Sequence, residues 1–275
     1  MLKNVFSYFN CNNYCNFVEQ SLPSSLSVCW INVRLSYMDK ITTNNKDYAS
    51  LVSNAVKFFW GTKSRQLINS GDSSNRGAVV GGKQMDGFVS LLRQVALDVG
   101  IPAETIITDK NYLPGYFRSS KDWDMLIIAP SGKLIAAVEL KSQVGSYGNN
   151  FNNRTEEAIG SAVDLWTAFR EGQFPCQQAP WVGWLMVVGK DDASERPVRN
   201  YEPYFSVRPE FDGASYLDRY RILCQKLILE RHYTATALLW TGDANTFGDL
   251  ADDISIHRFI NSFANYLKGV KDEFK

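Results

Sequence analysis

The chain has 275 residues, of which 45% are hydrophobic and 21% charged, enough for one large domain or two small ones around a sizeable core. Lys plus Arg and Asp plus Glu balance at 29 each, so no global basic field draws the chain to nucleic acid or anionic lipid, and any polyanion site must be local. The longest apolar run, Trp181 to Gly189, falls far short of the roughly 20 residues a bilayer-spanning helix needs. No membrane partner is expected, and the stretch after Lys3, broken by Asn4, Asn10, Asn12 and Asn13, makes no secretory signal, which leaves the cytoplasm as the expected location. Five irregularly spaced cysteines and only two histidines, His232 and His257, exclude a structural zinc cluster and read as reduced thiols.

Residues 1 to 37 differ from the rest. They hold Cys11, Cys15 and Cys29 but only three charges, Lys3, Glu19 and Arg34. The segment has neither a helical period nor strand alternation, so the natural start is expected at Met38, with residues 38–275 a single domain. A small extra arm is the alternative. Asp47 to Gln66 reads as a helix with Tyr48, Leu51, Val52, Ala55, Phe58 and Phe59 inward, and residues 69 to 77 as a loop. Lys83 to Val99 reads as a second helix on Met85, Phe88, Val89, Leu92 and Val95, stopped by Gly100. Trp123 to Ile128 and Leu134 to Lys141, joined by Pro130-Ser131-Gly132, form an antiparallel hairpin.

The polar run Gly145 to Asn153 reads as a loop leading to a helix capped by Asn153, with Glu156 three residues on. Its inward face is Ile159, Ala162, Val163, Trp166 and Phe169, and Gly172 ends it. Trp181 to Val188 has the pattern of a strand buried on both faces. A helix over Tyr216 to Arg231, a strand over Thr234 to Trp240 and a helix over Ile256 to Lys271 complete an α/β domain. Cys176 and Cys224 read as core residues, and the two histidines have no nucleophile partner.

Chemistry concentrates on the hairpin. Glu139 and Lys141 are two apart on one strand and share a face, and antiparallel pairing brings Asp124 toward them. Two converging carboxylates make a hard oxygen site suited to Mg²⁺, and an ammonium beside them can hold an attacking water and offset transition-state charge. On spacing alone the pattern is more often that of a solvated ion pair, and it is the apolar strands and the polar loop and capped helix that follow which favour catalysis. Gly77-Ala-Val-Val-Gly-Gly-Lys83 has P-loop spacing, but Gln84 stands where Ser or Thr is needed and no apolar strand precedes it, so it reads as a glycine loop at a helix start that can meet a DNA phosphate. Tyr147-Gly-Asn-Asn-Phe-Asn-Asn-Arg154 offers amides and a guanidinium, the groups that pair with adenine and guanine edges, or a plain cap and loop. Arg196 to Arg208 is the alternative place for base reading.

With these residues in view, the chain resembles the XhoI-like type II restriction endonucleases of the PD-(D/E)xK nuclease class. The resemblance rests on Arg76-Gly-Ala-Val-Val-Gly-Gly-Lys-Gln-Met-Asp-Gly87, Leu113-Pro-Gly-Tyr-Phe-Arg118, Lys121-Asp-Trp-Asp124 and Val138-Glu-Leu-Lys-Ser-Gln-Val-Gly145 running into Gly148-Asn-Asn-Phe-Asn-Asn-Arg-Thr-Glu-Glu-Ala158. It implies a restriction-endonuclease-like α/β core with a central mixed sheet flanked by helices. It also implies Mg²⁺-dependent hydrolysis of double-stranded DNA at a palindrome, CTCGAG in the relatives, by a homodimer paired with a methyltransferase of the same specificity. Asp124 and Glu139 become the metal-binding carboxylates and Lys141 the catalytic lysine, with Arg76, Lys83, Asn149, Asn150, Asn152 and Arg154 as DNA contacts. Trp123 replaces the usual proline. A non-cleaving DNA-binding relative and a structure-selective repair or resolvase nuclease are the competing readings. The intact Asp124, Glu139 and Lys141 set argues against the first, and the Asn and Arg run against the second.

Overall fold

In the computed structural model, which describes residues 48–69 and 83–275, the first apolar stripe forms helix α1 (Ala49–Asn69). The chain divides into two units, Met1–Asn44 and Asn45–Lys275, and every described element belongs to the second. The unusual segment 1–37, Arg76 and Gly77 to Gly82 lie outside the described residues. A 3₁₀ turn (Lys83–Met85) leads into α2 (Asp86–Val99), and Gly100 closes it at φ 95°, a left-handed conformation that glycine adopts without steric cost.

Short strands β1 (Ile106–Ile107), β2 (Tyr112–Pro114) and β3 (Ser120–Asp122) follow, then the hairpin of β4 (Met125–Ile128) and β5 (Leu134–Gln143). Helix α3 (Tyr147–Arg170), β6 (Trp181–Gly189), a short α4 (Asp192–Glu195), α5 (Tyr216–Leu229), β7 (Ala235–Thr241), β8 (Phe247–Asp249) and α6 (Ile256–Gly269) complete the described chain.

Six strands form one mixed sheet in the order β1-β4-β5-β6-β7-β8, and β2 and β3 pair separately. The hairpin is antiparallel, β5–β6 and β6–β7 are parallel, and β8 returns antiparallel on β7. All nine residues of β6 are buried, as expected of a central strand covered on both faces. On one face Val138, Leu140, Leu185 and Val187 pack with Phe59, Phe88, Leu92, Phe259 and Phe263 of α1, α2 and α6. On the other, Ala137, Trp184, Met186 and Val188 pack with Ala162, Leu165, Tyr220 and Leu227 of α3 and α5. The result is a helix–sheet–helix sandwich, the expected restriction-endonuclease-like α/β core.

Several local expectations are corrected. Helix α3 begins at Tyr147, so Asn149 to Arg154 lie in its first turns and Asn153 is an exposed helical residue with no capping role. The early start is tertiary. Gly145 (φ 72°) and Ser146 (φ 48°) reverse the chain directly after β5, and the Tyr147 hydroxyl donates to Gly189 O (3.0 Å) and Asp191 Oδ2 (2.8 Å), which overrides the weak helix propensity of asparagine. The inward face of α3 is also rotated. Ala158, Ser161, Ala162, Leu165 and Ala168 are buried, while Ile159 is exposed and Val163, Trp166 and Phe169 lie at the flank. Small residues predominate on that face, and at Ala158 the helix meets Tyr233, which donates its hydroxyl to Ala158 O (2.8 Å). Phe58 is exposed because Val52, Ala55, Val56 and Phe59 form the α1 core stripe. Cys176 is exposed in the connection before β6, whereas Cys224 is buried as expected.

The corrected helix start makes a stability prediction. Asn153→Ala, a mid-helix change at an exposed site, should raise stability by a few tenths of a kcal/mol. Ser215→Ala, which removes the α5 cap accepting from Asp218 N–H (3.1 Å), should cost about 1 kcal/mol. Urea denaturation of both variants checks the pair, and a loss in Asn153→Ala as large as that in Ser215→Ala would contradict the assignment.

Candidate active site

Strand β4 covers β5 for only four residues, and Asp124 stands immediately before it. The Asp124 N–H donates to Val138 O (3.1 Å), and its Oδ2 accepts from the Leu140 N–H (2.6 Å). The carboxylate thus takes the place of the strand partner that Leu140 lacks. Glu139 projects to the α3 side of the sheet, beside Trp184 in the parallel register, and is 3% exposed. Its two oxygens are held by two ammoniums, Lys141 Nζ on Oε1 and Lys121 Nζ on Oε2, each at 2.5 Å. Asp124, Glu139 and Lys141 are therefore brought together as the hairpin geometry predicts.

Lys121 is the residue that sequence reasoning missed. It lies on β3, its ammonium 4.7 Å from the ring centroid of the buried Trp123, and it also donates to Asp122 O (2.8 Å). Trp123, standing where the usual motif has proline, serves as its platform. The quoted Lys121-Asp-Trp-Asp124 string contained this residue, but nothing in the spacing showed that β3 folds back onto Glu139.

Burial, then the neighbouring Glu139 charge, pushes the Asp124 carboxyl up to about 6, against the opposing pull of the Leu140 N–H, Lys141 and Lys121. For Lys141, burial works to lower the pKa, but the charge and hydrogen bond of Glu139, with Asp124 and Glu157 behind, hold it above its ordinary value. A buried carboxylate such as Asp124, whose ionisation is resisted by burial and by the neighbouring Glu139 charge, beside a second oxygen donor is suited to a hard divalent cation. Among the described residues no cluster of three or more Asp, Glu, His or Cys surrounds a possible ion, so a cation held here would keep several waters.

The cleft in front of this cluster is lined by Phe117, Arg118, Lys121, Glu139 and Lys141 and, from α3, by Glu156, Glu157 and Gly160. The loop carrying Phe117 and Arg118 is fixed by the buried Asp164, which accepts from Tyr116 N–H and Phe117 N–H (2.8 Å each) and from Arg118 Nε (2.7 Å). These bonds hold the Asp164 carboxyl below its usual range despite burial. A Cβ at position 115 would overlap Asp164 Oδ2, which is why glycine stands there. No local pattern in the sequence marks Asp164, because its partners lie 46 to 48 residues away.

The expected DNA contacts separate into groups. Lys83 is exposed, and its neighbour Gln84 donates to Ser142 Oγ (2.6 Å), so the turn docks on β5 next to Lys141, though Ser142 alternates to the opposite face. Asn149 and Asn152 are exposed on α3, Asn150 donates to Ser146 O (2.9 Å), and Arg154 pairs with Glu157 (2.5 Å).

The sequence matches the family profile "Restriction endonuclease XhoI" over residues 65–251. It is 46% identical over 206 residues to the type II restriction enzyme BstVI of Geobacillus stearothermophilus, covering 71% of this chain and 92% of the relative. The chain belongs to the XhoI restriction endonuclease family. The type II restriction enzyme XhoI of Xanthomonas vasicola is 48% identical over 191 residues, 67% of this chain and 77% of the relative. AbrI of Azospirillum brasilense is 43% identical over 166 residues, 58% and 74% respectively. No solved structure matches significantly. Membership makes this chain an enzyme of the restriction-endonuclease class, and no helix among the described residues is long and apolar enough to cross a membrane.

The buried Asp124 carboxyl makes stability depend on pH in metal-free buffer. The folded pKa of Asp124 lies above its unfolded value of 3.8, so its favourable contribution is complete below that value and lost as pH rises through about 6. The shift corresponds to roughly 3 kcal/mol at most. Asp124→Asn should gain stability over wild type between pH 4 and pH 7 while still accepting from Leu140 N–H. Urea melts in EDTA across that range test it, and parallel pH profiles for the two proteins would show that the Asp124 charge is not penalised.

Proposed function

We propose that this chain is a type II restriction endonuclease that hydrolyses both strands of double-stranded DNA at a palindromic site, CTCGAG by resemblance, with Mg²⁺ as cofactor. The observation that carries the reading is the convergence of Asp124, Glu139 and Lys141 at the open edge of the β4–β5 hairpin in a chain of this family. Asp124 and Glu139 are the residues that would hold the ion. When bound there, Mg²⁺ supplies Lewis acidity that activates water and offsets charge on the scissile phosphate.

The rest of the mechanism belongs to this chain's own side chains. Lys141, held protonated by Glu139, is a donor and not a base at neutral pH. Its ammonium orients the attacking water oxygen and compensates negative charge growing on the phosphate oxygens. Asp124 and Glu139 fix the geometry through Leu140 N–H and the two lysines, so little reorganisation accompanies reaction. Arg118, on the loop clamped by Asp164, and Lys121 place further positive charge on the rim of the same cleft. Arg76, Lys83, Asn149, Asn150, Asn152 and Arg154 are proposed as DNA contacts, those on α3 meeting the duplex next to the cleft that Glu156 and Glu157 border. A palindrome is met most economically by a two-fold homodimer cutting one strand per subunit, and a DNA methyltransferase of the same specificity is the functional partner. The catalytic unit is proposed as residues 38–275.

Incubation with a mixed-sequence plasmid and Mg²⁺, followed by sequencing of the ends, tests this. Wild type should yield ends at one short palindrome. Asp124→Ala, Glu139→Ala and Lys141→Ala should each lose at least about a hundred-fold in rate while remaining folded. Near-wild-type cutting by any one would refute that residue's role, and nicking without sequence preference would favour a structure-selective nuclease. In the same assay a chain beginning at Met38 should cut like the full chain, and an inactive or insoluble product would place residues 1–37 within the functional unit. Light scattering of the Glu139→Ala protein on a target duplex should give the mass of two subunits per duplex, against which a single subunit would count.

A further inference from the structure

The connection from β6 to α5 contains a projecting loop whose chemistry the catalytic cluster does not use. Its neck is tied on both sides. Val198 N–H donates to Ala214 O (3.1 Å), the Asn200 amide donates to Phe211 O (3.0 Å), and Arg219 of α5 donates to Val198 O (3.3 Å) and Asn200 Oδ1 (2.7 Å). At the far foot Glu210 receives Arg208 (2.8 Å) and Lys226 (2.6 Å). Between these ties the tip is crossed by a bond from Val207 N–H to Glu202 (2.8 Å). The loop is therefore built and anchored.

What the tip presents is unusual. Tyr201, Tyr204 and Phe205 are 87%, 88% and 90% exposed, three large rings within five residues. Scattered apolar exposure is ordinary, but a cluster this open marks a contact surface. The same segment carries Arg196, Arg199 and Arg208 against a single acid, Glu202, in a chain whose total charge is zero. Arg196 and Arg199 are exposed. Rings interleaved with guanidiniums complement a polyanion with stackable or wedgeable bases, and the local positive excess selects such a partner over a neutral protein surface.

The loop also starts in the right place. Its root, at Gly189 and Asp191, accepts the Tyr147 hydroxyl, and the Tyr147 ring stacks on Tyr216 at the loop's end (5.9 Å). Phe151 packs edge-on against Tyr220 (5.1 Å). The first turns of α3 and the base of the loop are thus one packed unit, and α3 continues from there along the wall of the catalytic cleft.

We propose that the 196–208 loop is a DNA-reading element in which Tyr201, Tyr204 and Phe205 enter a groove of the duplex while Arg196 and Arg199 hold the flanking phosphates. The proposal rests on the endonuclease reading and names the surface that gives it specificity.

The test uses the full chain with Ca²⁺ in place of Mg²⁺, a duplex bearing the cut sequence, its single-base variants and an unrelated duplex, with binding read by fluorescence anisotropy. Tyr204→Ala and Phe205→Ala, at fully exposed positions, should melt like wild type. They should lose about ten-fold or more on the target and much less on the unrelated duplex, so that discrimination narrows. Arg199→Gln should weaken all duplexes alike and lower the dependence of log affinity on log salt by about one. Wild-type discrimination retained in both aromatic variants overturns the loop alone, as does equal weakening on every duplex. Unchanged DNA binding with a fall from dimer to monomer in light scattering overturns it in favour of a contact between two copies. A wild-type chain that neither binds nor cuts DNA overturns the endonuclease reading and the loop with it.

Discussion

Asp124 and Glu139 meet where β4 stops covering β5, and the properties of that end of the molecule follow from holding two carboxylates together there. Strand β5 is the shared member of the sheet, antiparallel to β4 on one side and parallel to β6 on the other. Because β4 covers so little of it, the Leu140 N–H needs another acceptor, and the Asp124 carboxylate provides it. The same short coverage opens the flank on which Glu139 and Lys141 stand. Two acids in a partly dry place repel each other, and the molecule offsets this with Lys121 and Lys141, one on each oxygen of Glu139. Structural hydrogen bonding and the balance of charge are one arrangement.

A chain without net charge must meet a polyanion by placement. Lys121 and Arg118 from one stretch of chain and Lys141 from another gather around one cleft, but Glu156 and Glu157 line it as well, so its field is mixed. Asp164 shows how much structure this requires: one carboxylate on α3 fixes three consecutive residues of the loop that carries Phe117 and Arg118. The gathering of these cations at one cleft is therefore a product of folding and is invisible in composition.

Elements with a single dominant environment were legible in the sequence. The run Trp181–Gly189 is apolar throughout because both its faces are covered, and the α2 stripe ends at Gly100 because the chain needs a left-handed residue there. The hairpin and the shared face of Glu139 and Lys141 follow from period two and a short turn. The start of α3 was not legible. The asparagine-rich run from Tyr147 to Asn153 looks like a loop, and it becomes helix because Tyr147 is tied to Gly189 and Asp191 in a distant strand and turn. Phe58, Ile159 and Cys176 failed for a related reason: apolar character says that a side chain gains from burial, while the neighbouring element decides which few are buried.

Consecutive residues alone carried the α/β class, the family, and the placing of Asp124, Glu139 and Lys141 on one hairpin, because strand alternation and local motif spacing are short-range properties. Only the tertiary structure decided that Lys121 shares Glu139 with Lys141, that Asp164 clamps the Tyr116–Arg118 loop, and that the 196–208 loop stands at the same end as the first turns of α3. Each of these joins residues far apart in the chain. Such contacts depend on where whole strands and helices come to rest against one another, which no local pattern of residue types encodes.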